Sequence, residues 1–211
     1  YHKATQTIYA TNSATNSIAI IAAGSITSAE LSNPINLINL VVSSIDLPAT
    51  VGTVPLGNVT SIAIFGNLLA VAVPADTKTD NGFILFYNGL DNSAPAFLDS
   101  VEVGALPDAI AFTPNGGKLV VANEGEPNGD YSIDPEGTLS VIDILVSGEP
   151  EETAEMVTFT SFNGTQAALE AQGMHFPNPS GSTINGNAIT VTVAQDLEPE
   201  YVSTTNDKAY I

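Results

Sequence analysis

The sequence predicts an all-β chain built as β-propeller blades. The expected form is a partial propeller, with about two complete and two incomplete blades and one short helix. Three observations predict it. Short apolar runs bounded by Gly, Asn, Pro and Asp recur along the whole chain. These runs repeat in the same internal order. Equivalent positions lie about 40–50 residues apart, the period of propeller blades.

Each element has a local reason. TIYA at 7–10 and SIAIIA at 17–22 are apolar runs separated by a polar stretch containing Asn12-Ser13. LVVSSI at 40–45 is β-branched and short. SIAIF at 61–65 and LLAVAV at 68–73 flank Gly66-Asn67, and FILFY at 83–87 follows an acidic loop. AIAF at 109–112 and KLVVA at 118–122 flank Asn115-Gly116-Gly117, and TLSVIDI follows at 138–144. AITVTV at 188–193 stands after Asn185-Gly186. Only TQAALEAQ at 165–172 reads as a helix, with Gly173 as its stop.

The repeat is visible when 56–88 is set beside 104–144. Both run polar lead-in, apolar strand, Gly/Asn turn, stronger apolar strand, acidic loop, closing strand. A third copy begins at Ala194, and an incomplete one opens the chain. The expected blades are 1–45 (partial), 46–99, 100–150 and 151–211 (partial, with the helical insert 165–172), all of one propeller domain. One blade cannot bury both its faces, so neighbours stacked about an axis must cover it. A β-sandwich of short strands is the competing arrangement. A ring needs roughly four to eight blades. The chain is therefore expected to be a piece of a larger protein, or one of several chains that complete a ring.

Composition excludes several functions. Four lysines (Lys3, Lys78, Lys118, Lys208) face 23 Asp and Glu, and the net charge is −19. With no arginine, the chain should repel nucleic acid. With no cysteine, it has no disulfide, thiolate or Cys–metal chemistry. Two histidines, His2 and His175, leave almost no candidates for a Ser-His-Asp triad. No Walker-type or dinucleotide-type glycine loop occurs. No run of about 18 apolar residues occurs, so no membrane insertion is expected. Hydrophobic residues at 44% belong to a folding chain rather than an acidic disordered tail. A polar surface rich in Asn, Thr and Ser leans toward a secreted bacterial protein.

The acidic loops carry the candidate chemistry. The stretch 123–137, NEGEPNGDYSIDPEG, holds Glu124, Glu126, Asp130, Asp134 and Glu136 between turn residues. Carboxylates and carbonyls on a turning loop suit calcium, which takes about six to eight oxygens. The spacing is not that of an EF-hand. The competing reading is a solvated loop closed by turns. In QDLEPE, at 195–200, Asp196, Glu198 and Glu200 alternate, so an extended chain would turn two or more to one side. Asp108 and Asp196 or Glu198 occupy similar places in their repeats, before the inner strand of a blade. There, carboxylates would ring one mouth of the channel, or simply cap local backbone amides.

VANEGEP (121–127), DPEG-x-x-S-V-I-D (134–143) and AQDLEPEY (194–201), together with the helical stretch 159–176, resemble the choice-of-anchor I domain family. The resemblance is specific from 104 to 211 and weaker from 9 to 89. It implies an extracellular or cell-surface bacterial protein with a seven-bladed propeller of the YVTN/lactonase-like sort, in a domain longer than this chain. Some members carry an alkaline-phosphatase label, related propellers include calcium-dependent phytases, and others look like adhesins or surface-layer components. A Ser/Gly/Asn-rich insert at 177–187 departs from the pattern.

Two functions follow as expectations. One is a secreted or cell-surface module with a binding or structural role and calcium in its acidic loops. Its partners would be surface glycans, other surface proteins or the remaining blades of the same protein. The other is a calcium-dependent phosphoesterase, in which clustered carboxylates hold cations that activate water. The absence of arginine opposes the second. Lactone hydrolysis would rest on fold analogy alone.

Overall fold

Apolar runs punctuated by Gly and Asn can satisfy their backbone polar groups only by pairing. In the structure, a computed structural model that describes residues 1–25, 41–92, 95–177 and 180–211, they pair as antiparallel meanders. The first sheet is β1 (Thr7–Asn12), β2 (Ser17–Ala22) and β3 (Val41–Asp46), in that order. The start of the expected third run, Leu40, lies outside the described residues. A small hairpin, β4 (Thr50–Val51) and β5 (Val54–Pro55), leads into the second sheet. That sheet is β6 (Ser61–Phe65), β7 (Leu68–Val73), β8 (Asn81–Asn88) and β9 (Ala96–Ala105). The third is β10 (Pro107–Phe112), β11 (Lys118–Asn123), β12 (Thr138–Asp143) and β13 (Glu155–Thr158). After it come helix α1 (Gln166–Glu170), hairpin β14 (Thr183–Ile184) with β15 (Asn187–Ala188), helix α2 (Val193–Asp196), and hairpin β16 (Ser203–Thr204) with β17 (Ala209–Tyr210).

The sheets stack face to face like blades, and side-chain alternation on the middle one proves the stacking. All six residues of β7 are buried. Leu69, Val71 and Val73, with Phe83, Leu85 and Tyr87 of β8, join Tyr9, Ile18 and Ile20 of the first sheet in one core. Leu68, Ala70 and Ala72, with Ile84 and Phe86, join Ile110, Leu119, Val121 and Ile142 of the third sheet in another. Successive strand residues point to opposite faces, so an apolar run here means two covered faces. Each fully buried Leu, Val or Phe contributes roughly 1.5–3 kcal/mol.

The first strands lie innermost. β6 packs against β1 and β10, and β10 against β16. Side chains tie each unit to the next. The Asn16 side chain donates to the Gly57 carbonyl (3.1 Å) and accepts from the Val59 amide (3.0 Å). The Thr60 hydroxyl donates to the Pro107 carbonyl (2.6 Å), and the Thr204 hydroxyl to the Phe112 carbonyl (2.8 Å). The hairpin β16–β17 thus sits beside the third sheet as the first two strands of a fourth unit.

The sequence reading differs from the structure in three places. Each complete sheet has a fourth, outer strand. In β9, Asp99 and Glu102 interrupt the apolar pattern, and β13 is exposed at every residue, so neither carries a strand signal. The sheets consequently run 61–105 and 107–158, and the expected blade limit at 99/100 falls inside β9.

The stretch 188–193 is not a strand. Pairing stops at Ala188, and Thr192 instead caps α2, a second short helix. The Thr192 hydroxyl accepts from the Gln195 amide while the Gln195 side chain accepts from the Thr192 amide, a capping box that outweighs the β-branched pattern. The insert instead makes the β14–β15 hairpin around Asn185-Gly186, both at positive φ.

Candidate functional site

The loop between β11 and β12 corresponds to the shorter loop between β7 and β8 in the preceding sheet. Both leave the same end of the stack, and an ion pair joins them: Lys78 Nζ lies 2.5 Å from Glu126 Oε2. The longer loop is clamped by α2 and by Leu197 just after it. The Gly137 amide donates to the Ala194 carbonyl (2.9 Å), and the Gln195 side chain to the Asp134 carbonyl (2.8 Å). A Cβ on Gly137 would stand 1.8 Å from the Leu197 carbonyl oxygen, so only glycine permits this crossing. Gly125, at φ 71°, meets the Glu136 carbonyl less closely, but a Cβ there would still lie only 2.6 Å from its oxygen.

This clamp gathers carboxylates that are far apart in sequence. Asp108 sits on β10 at a register shift between Pro107 and Ala109. Burial raises its pKa, and the charges of Glu200 and Glu126 add to the rise. Glu124 is pushed up to about 7, first by burial, then by Glu126, Asp108, Glu200 and Glu198. Asp134 is pushed up to about 6 by burial and by Asp196. Both Asp134 carboxylate oxygens are buried and accept no hydrogen bond from the described residues. Asp196, at the end of α2, is only 8% exposed. Burial raises the Tyr131 phenol, Glu198, Asp134 and Asp196 raise it further, and Lys78 lowers it. The two groups of carboxylates therefore share one electrostatic surface.

Not every expected residue belongs to it. Asp130 accepts from the Ser132 hydroxyl (2.7 Å) and amide (3.1 Å), and these bonds hold its pKa below the usual range. It closes a local turn. Glu136 supplies the carbonyl that Gly125 crosses. Asp196 is helical, so the extended alternation of 196, 198 and 200 does not start there. Among the described residues, no three His, Cys, Asp or Glu side chains form a metal-holding group. Asp134 and Asp196 fit a calcium ion only with backbone carbonyls and water completing about six to eight oxygens.

Sequence reasoning missed an apolar cleft next to these carboxylates. It has a volume of about 520 Å³, and Phe162, Leu169, Met174, Leu197, Tyr201 and Ile211 line it together with Glu198 and Glu200. Its one readable signal is the apolar spacing around α1, which reads equally well as a face packed on a blade.

Stacked four-stranded meanders with inner strands against one another define a β-propeller module. One solved structure supports this: the chain is similar to the Pseudomonas aeruginosa periplasmic gluconolactonase PpgL, with a TM-score of 0.52 and 18% identity over 74% of this chain. It spans 38% of that protein's length. The chain belongs to the choice-of-anchor I domain family, which matches residues 1–211. No curated protein sequence matches it. Among the described residues no helix is long and apolar enough to cross a membrane.

Proposed function

We propose that this propeller module works at the cell surface in a binding or structural role, and that its acidic loop is braced by a calcium ion at Asp134 and Asp196. One observation carries the calcium: a carboxylate with both oxygens buried and unbonded, beside a second buried carboxylate. Buried charges are ordinarily paired or bound to metal. An ion there would neutralise Asp134 and Asp196 and lock the 123–137 loop to α2. Family membership supports the surface location. The excess of carboxylates with no arginine favours binding over phosphate-ester chemistry.

The test is a melting curve with added calcium and with excess EGTA, for the wild type and for Asp134→Asn. A ligand bound only to the native state raises the melting temperature, by about 2.7 kcal/mol of stability at 100 times its Kd. Calcium should raise it in the wild type and not in the variant. Identical curves in calcium and EGTA overturn the calcium site. Calcium-dependent turnover of a phosphomonoester, lost in Asp134→Asn, would replace the binding role with the phosphoesterase reading.

A further inference from the structure

We infer that the peptide bond between Asp134 and Pro135 is self-cleaving, with the Asp134 side chain attacking its own backbone carbonyl. The inference goes beyond the binding reading and needs no ion. Three features meet at this bond. It is the one Asp-Pro pair in the chain. Both Asp134 carboxylate oxygens are buried and accept no hydrogen bond from the described residues. The Asp134 carbonyl accepts from the Gln195 side-chain amide at 2.8 Å.

Each feature has a chemical consequence. A carboxylate stripped of water and of donors is a stronger nucleophile than a solvated one. Its oxygen reaches the Asp134 carbonyl carbon by closing a small ring within one residue, so the attack is intramolecular. The Gln195 donor stabilises the negative charge that attack places on the carbonyl oxygen. Proline has no backbone N–H, so its nitrogen cannot turn on the side chain and close a succinimide instead. The segment is also held on both sides of the bond, at Asp134 by Gln195 and at Gly137 by the Ala194 carbonyl (2.9 Å).

The step balances with water alone. A bond forms between Asp134 Oδ and the Asp134 carbonyl carbon, and the bond from that carbon to the Pro135 nitrogen breaks. A cyclic aspartyl anhydride remains. The proline nitrogen leaves with the electron pair and takes a proton from water. The hydroxide left behind opens the anhydride at either carbonyl, so Asp134 ends the first piece with two carboxyl groups. Nothing is oxidised or reduced. Pro135 is half-buried, so water reaches the bond. The two pieces stay together, because β11 of the first pairs along its whole length with β12 of the second.

Calcium at Asp134 would occupy the attacking oxygens, so the test incubates the purified full chain in EGTA at neutral pH, in ¹⁸O-labelled water. Mass spectrometry under denaturing conditions should show fragments 1–134 and 135–211 growing at a rate independent of protein concentration. The label should appear in both carboxyl groups of Asp134. The same chain unfolded in urea should cleave at least about tenfold more slowly, because it lacks the fixed donor and the buried carboxylate. Asp134→Ala should stay intact. Gln195→Glu keeps the acceptor that caps α2 but loses the donor, and should slow cleavage roughly 100-fold. Melting curves confirm that both variants are folded.

An intact wild-type chain overturns the inference. So does label in the backbone carboxyl alone, which is direct hydrolysis, or an equal rate in urea. Undiminished cleavage in either variant overturns it as well. Failure of the calcium melts leaves cleavage in EGTA standing, and failure of cleavage leaves those melts standing.

Discussion

Lys78 and Glu126 form an ion pair at 2.5 Å between corresponding loops of two successive sheets. Each loop connects the second and third strands of its meander, so the pair links neighbouring units at the acidic end of the stack. Its members are 43% and 38% exposed. Solvent screens such a pair to about 0.2–1 kcal/mol. Lys78→Gln should therefore lower the melting temperature by less than about 4 °C, since 1 kcal/mol is worth about 2–4 °C at this size. The loss should shrink in high salt, as differential scanning calorimetry at two salt concentrations would show.

The acidic face should make stability fall as pH rises. Glu124 moves from 4.5 to about 7 and Asp134 from 3.8 to about 6 on folding, and Asp108 moves the same way. The folded chain then binds more protons than the unfolded chain. The contribution is fully present below the unfolded pKa values and is lost as pH rises through about 6 to about 7. Asp130 acts in the opposite sense, but it is a single turn carboxylate on the open loop. In EGTA, the chain should melt higher near about pH 5 than near about pH 8. A flat profile between them would contradict the shared carboxylate surface.

Glu124→Gln removes the charge that this face tolerates least. At a pH above its shifted pKa the variant should be more stable than the wild type by on the order of 1 kcal/mol, once solvent screening of a half-buried group is allowed for. Well below pH 7 the two should converge. Paired denaturant titrations at both pH values give the comparison.

Leu85 and Phe86 are adjacent on β8 and fully buried in different cores. Leu85→Ala should cost about 2–5 kcal/mol and Phe86→Ala about 3–5 kcal/mol. Val157→Ala, on the exposed edge strand β13, should stay within about 0.5 kcal/mol. Urea titrations of the three variants measure this. A small cost at either β8 position would mean that one face of the middle sheet is open to water.

Gly137→Ala places a methyl group on the Leu197 carbonyl. The clamp must open or strain, at a cost of about 1–3 kcal/mol. Faster proteolysis within 193–201, with β8 amides still protected from hydrogen exchange, is the expected pattern. Uniform loss of protection would show that the clamp is inseparable from the core.

The strands were legible where both faces are apolar or a Gly/Asn turn bounds them. LLAVAV and FILFY state their structure locally, because β-branching, side-chain period and turn chemistry act over a few residues. β9 and β13 were not legible. An outer strand needs only its backbone to pair, so its side chains are free to look like a loop. The stretch around Thr192 misled for a related reason: a single cap with Gln195 overrode a β-branched pattern.

The site divides in the same way. Sequence alone determined that carboxylates would crowd two loops with almost no cations to answer them, and that the units would repeat and stack. Only tertiary structure decided which carboxylates meet. It turned Asp130 into a turn residue, left Asp134 buried beside Asp196 without a hydrogen bond from the described residues, and set Glu198 and Glu200 in the lining of an apolar cleft. Composition is a property of the chain, whereas burial and charge proximity exist only once the backbone crossing at Gly137 brings distant loops together.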